Sequence, residues 1–84
     1  MDEMRFILEE IASGVTLFKP NSKNEDDVIN FQKKARIISH ININKMVGGI
    51  KEVRENNTGK EYIVEILIYG GLTYTGESYL RLEK

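Results

Sequence analysis

Lys33, Arg36, His40 and Asn44 recur at intervals of three and four residues in the middle of the chain. At about 100° per residue, these side chains lie within about 80° of one another on a helix, opposite Phe31, Ala35 and Ile38. A helix packed by its apolar side would therefore present all four outward. Arginine can pair with guanine edges, asparagine with adenine and lysine with phosphate, which is the chemistry of a helix placed in a DNA groove. Lys51, Arg54, Asn57 and Lys60 follow in a segment able to form a hairpin, where they could contact the nucleic-acid backbone beside that groove. An ordinary solvated helix face has the same composition, since such faces are usually polar.

The other residue groupings point away from catalysis. The segment from Gly71 to Ser78 has the spacing of a phosphate-binding loop, but Glu77 stands where the lysine should be and would repel phosphate. Its glycines are better explained as backbone positions needing unusual dihedrals at a strand exit. His40 is the only histidine, which excludes a paired-histidine metal site. Glu9 and Glu10, like Asp26 and Asp27, are sequence neighbours, so on a helix their carboxylates diverge instead of converging on a substrate. Ser13, Ser22, Ser39 and Ser78 have no assembled base beside them, and Ser39 and His40 would point in different directions. We expect no enzymatic activity, no cofactor and no small-molecule substrate.

Eighty-four residues suffice for one domain with one modest core. Without cysteine there is no disulfide framework and no thiolate chemistry, and the cytoplasm is the expected compartment. The longest apolar runs fall far short of the ~20 residues that span a bilayer, and the acidic start does not suit a signal peptide, so no membrane partner is expected. The formal net charge of −1 hides an asymmetry. Residues 1–27 carry three Lys/Arg against seven Asp/Glu, residues 28–60 seven against two, and residues 61–84 two against four. The basic middle can steer towards phosphate, while the acidic ends weaken the long-range field.

The elements that must position these residues can be read from capping signals and periodicity. Asp2 can cap a helix over residues 3–13, ended by Gly14, with Phe6, Ile7 and Ile11 on its apolar side. Residues 15–18 read as a brief extended segment and residues 20–23 as a loop. Asn24 caps a second helix whose first turn, Glu25-Asp26-Asp27, suits the helix dipole. Val28, Phe31, Ala35 and Ile38, then Ile43, Met46, Val47 and Ile50, keep helical spacing, and helix is expected as far as Val47. One long helix or two shorter ones satisfy the pattern. A break between Phe31 and Lys34 would make a helix-turn-helix, although no Gly or Pro marks it. Residues 50–55 and 60–68 are expected to form a hairpin around Asn56-Asn57-Thr58-Gly59. Leu72 should close the sheet onto the core. Thr73 or Thr75 should cap a final helix from which Tyr79, Leu80 and Leu82 pack back.

The segment Gly71-Leu72-Thr73-Tyr74-Thr75-Gly76-Glu77-Ser78-Tyr79-Leu80 resembles the ending of phage-associated winged-helix proteins of the YjcQ-like kind and related small phage domains. The opening from Met1 to Ile11 resembles their first helix. The resemblance covers about a quarter of the chain and concerns the fold more than the family. It implies an α+β fold: a small winged-helix-like domain with N-terminal helices, a β-hairpin wing and a short C-terminal helix. Two functions are consistent with that scaffold. One is a DNA-binding regulator of a phage or mobile element, with the stripe at the duplex. The other is a protein-interaction module, acting as a homodimer, accessory subunit or inhibitor, with Ile63, Ile66, Ile68 and Tyr69 offering an apolar sheet face.

Overall fold

The computed structural model describes residues 3–57 and 59–82, without the side chains of Asn57 and Leu82. Helix α1 (Glu3–Ala12) leads through the two-residue strand β1 (Leu17–Phe18) to helix α2 (Glu25–Ile43). Strands β2 (Val47–Asn57) and β3 (Lys60–Leu72) form a hairpin, and helix α3 (Tyr74–Leu82) ends the fold. The antiparallel sheet has the order β1-β3-β2. The expected cap at Asp2, the turn residue Thr58 and the packing of Leu82 lie outside the described residues.

Local chemistry explains both helix ends. Asn24 caps α2, its side-chain oxygen accepting from the backbone N–H of Asp26 at 3.0 Å. After α1, the N–H of Val15 bonds the carbonyl of Glu10 and that of Gly14 the carbonyl of Ile11, with Gly14 at φ 109°. The end of α2 repeats this arrangement. The N–H of Met46 bonds the carbonyl of Ile41, and that of Lys45 the carbonyl of Asn42, with Lys45 at φ 59° in the position glycine usually takes. This corrects the expectation of helix to Val47. The helix stops at Ile43, and Val47 already belongs to the sheet, three residues before the expected strand start. No break occurs between Phe31 and Lys34, so α2 is one helix of 19 residues and there is no helix-turn-helix within it.

The core lies between the helices and one face of the sheet. Leu8 from α1, Ile38 and Ile41 from α2, and Ile66 from β3 are fully buried, joined by Phe18, Phe31 and Ile68. Leu72, Tyr79 and Leu80 are half-buried and pack against this cluster, as expected for a C-terminal helix that folds back. Thr73 caps α3, its hydroxyl accepting from the N–H of Gly76 at 3.2 Å and donating to the carbonyl of Lys45 at 2.6 Å.

The hairpin register is irregular twice, each time by one extra residue on β3. One irregularity lies between the Val47–Leu72 and Gly49–Tyr69 pairs, the other between the Val53–Glu65 and Arg54–Ile63 pairs. Gly70 and Gly71, at φ 75° and 61°, supply the left-handed backbone for the first. The Asn57–Lys60 pair leaves two positions for the turn, which agrees with the expected hairpin.

Candidate nucleic-acid interface

Lys33, Arg36 and His40 are exposed on α2, while Phe31, Ala35, Ile38 and Ile41 are buried on its opposite side. The apolar stripe packs on the sheet, which leaves the polar stripe on the outer surface of the helix layer. Among the described residues, no ion pair uses Lys33 or Arg36. Lys34, one position away, faces inward instead. Its ammonium lies 3.4 Å from Glu10 Oε1 and 4.9 Å from the centroid of the Phe18 ring. The outer face is not wholly polar, because Ile29 and Ile43 stand on it at 43% and 69% exposure.

Asn44 departs from the expected role. It is the residue after the last helical turn, and its side-chain N–H donates to the carbonyl of His40 at 2.9 Å. The amide is exposed but engaged in closing its own helix, so the outward stripe reduces to Lys33, Arg36 and His40.

The hairpin residues do not join that stripe as one surface. Side chains alternate across a strand. Phe18 and Ile66 are cross-strand partners and both are buried beneath the helices, so their neighbours Leu17 and Leu67, also partners, face the opposite side of the sheet. Lys51 pairs with Leu67 and therefore points away from α2. Arg54 lies on the helix side but is already engaged. Its guanidinium donates to Glu52 Oε1 at 2.9 Å and to Glu61 Oε1 at 3.2 Å, and these two carboxylates raise its pKa above the ordinary value. Lys60 is exposed next to the turn, and the side chain of Asn57 lies outside the described residues.

Two features escaped the sequence reading. Gln32, beside the stripe, uses its whole amide to hold α2 on the sheet. It donates to the carbonyl of Ile63 at 2.7 Å and to that of Val28 at 2.9 Å, and it accepts from the N–H of Ile63 at 2.9 Å. A glutamine on a helix carries no signal that distinguishes this role from a solvated one. The second is Leu17, 40% exposed on the outer sheet face, where Tyr69 stands 51% exposed. Of the expected apolar dimer face, Ile66 and Ile68 are buried in the core and Ile63 packs against it, so only Tyr69 remains outward. Among the described residues, no three His, Asp or Glu side chains converge as metal ligands, and no helix is long and apolar enough to cross a membrane.

Compared with known proteins, the chain matches no family model, no curated protein and no solved structure.

Proposed function

We propose that this chain is a small non-enzymatic DNA-binding domain on a winged-helix-like scaffold, with the outer face of α2 against the duplex. The observation that carries this reading is the exposure of Lys33, Arg36 and His40 on the helix immediately before the hairpin, with neither Lys33 nor Arg36 in an ion pair among the described residues. Support for the scaffold comes from the chain order of helix, short strand, helix, hairpin and helix, and from the placement of β3 between β1 and β2. A single helix occupies the place of the usual two, so α2 both packs the core and faces the nucleic acid. Regulation of a phage or mobile element is the role that the resemblance at the two ends of the chain adds. The test is binding to mixed-sequence duplex at low and high salt, which should weaken steeply as counterions compete for phosphate.

A second reading, a protein-interaction module, is favoured by Leu17 and Tyr69, which are exposed on the sheet face away from the described helices. Such a domain would show no salt-sensitive duplex binding at micromolar concentration.

A further inference from the structure

Strand β2 has β3 on one side and, among the described residues, no strand on the other. Among the described residues, no backbone hydrogen bond outside the ladder reaches Gly48 to Asn57. An open edge of this kind is a template for a further strand, and charged side chains normally discourage that pairing. Here the charges are ordered. Along Lys51-Glu52-Val53-Arg54-Glu55 the sign of the charge inverts about Val53.

We propose that β2 pairs antiparallel with β2 of a second copy of this chain, about a two-fold axis through Val53, joining two sheets into one of six strands. In this register Val53 meets the partner's Val53. Glu52 faces the partner's Arg54 and Lys51 faces the partner's Glu55, and symmetry repeats both pairs. Opposite charges directly across an antiparallel pair attract, and like charges repel. A two-fold pairing always sets its central residue against its own copy, so a neutral centre is required. Val53 is the one uncharged residue between Lys51 and Glu55. Centring the axis on any of its four neighbours in that run would oppose two like charges.

Both faces of the strand take part. Arg54 already pairs with Glu52 and Glu61 within the chain, and the pairing joins the two sets into a network of six charged groups. Lys51 and Glu55 are exposed and appear in no ion pair among the described residues, so their charges meet partners only across the new interface. Because the axis is perpendicular to the sheet, both helix layers fall on the same side and the two α2 outer faces point the same way. The pairing rests on the strand alone and stands apart from the reading of α2 as a DNA-facing helix.

The test is the mass of the full chain in solution at micromolar concentration, by sedimentation or light scattering, without nucleic acid. Wild type should be dimeric. Lys51→Glu and Glu55→Lys should each weaken the dimer by about tenfold or more, since each replaces two attractions with two repulsions. The double variant Lys51→Glu/Glu55→Lys restores opposite charges in exchanged positions and should recover the dimer. Circular dichroism of each variant checks that the fold is kept. A monomeric wild type, a dimer unmoved by either single reversal, or a folded double variant that stays monomeric would each overturn the proposal.

Discussion

At the scale of single residues, the ends of α1 and α2 show what a sequence displays and what it conceals. Gly14 advertised its turn because glycine enters the left-handed region at no steric cost, and the helix indeed stops there. Lys45 adopts the same conformation while looking like any surface lysine, so α2 was expected to run on to Val47. A left-handed backbone costs an ordinary residue roughly 1–2 kcal/mol, part of which glycine returns through its freer unfolded chain. Lys45→Gly should therefore raise stability by about 1 kcal/mol, seen as a higher midpoint in a denaturant titration. Gln32 supplies the opposite case. Its amide satisfies both backbone groups of Ile63, so Gln32→Leu should leave a half-buried N–H and C=O unpaired and cost about 1–3 kcal/mol in the same titration. The candidate site was legible to the same uneven degree. Helical spacing placed Lys33, Arg36 and His40 outward, but no pattern in the sequence shows that the Asn44 amide turns back to cap its helix or that Arg54 is held by Glu52 and Glu61.

At the scale of elements, the hairpin and the last helix were readable because their signals are local: β-branched runs around a turn, and a threonine cap before an aromatic-leucine pair. The boundaries were not, because Val47 and Gly49 enter the sheet only through pairing with residues twenty or more positions away. The unbroken α2 follows from the same logic. With neither Gly nor Pro between Phe31 and Lys34, nothing interrupts the hydrogen-bond ladder, and Phe31, Ala35, Ile38 and Ile41 form one continuous buried stripe. Helix α3 is held less deeply. Leu80 is half-buried against the core, while its carbonyl accepts from Arg5 of α1 at 3.2 Å. Leu80→Ala should cost about 1–3 kcal/mol, less than truncation of a fully buried leucine. A thermal melt should show a lower midpoint with the transition still cooperative, because α3 contacts α1 as well as β3.

At the scale of the whole molecule, a layer of helices covers one side of the sheet, and the expected binding residues divide between two surfaces. Lys51 lies on the uncovered side of the sheet, while Lys33, Arg36 and His40 look outward from the helices. A single flat contact cannot use both sets. The formal net charge of −1 supplies little long-range attraction, so the proposed DNA binding would rest on the local cations of α2. Replacing Lys33 and Arg36 together by Glu removes those cations and sets negative charge against phosphate, yet both positions are exposed and outside any described ion pair, so the fold should keep its stability. The most direct measurement is fluorescence anisotropy of a labelled mixed-sequence duplex titrated with wild type and with Lys33→Glu/Arg36→Glu, at low and at physiological salt. The account predicts micromolar or tighter binding by wild type that weakens steeply with salt, and no binding by the double variant. Absence of wild-type binding at low salt, or binding that the double substitution leaves intact, would contradict it.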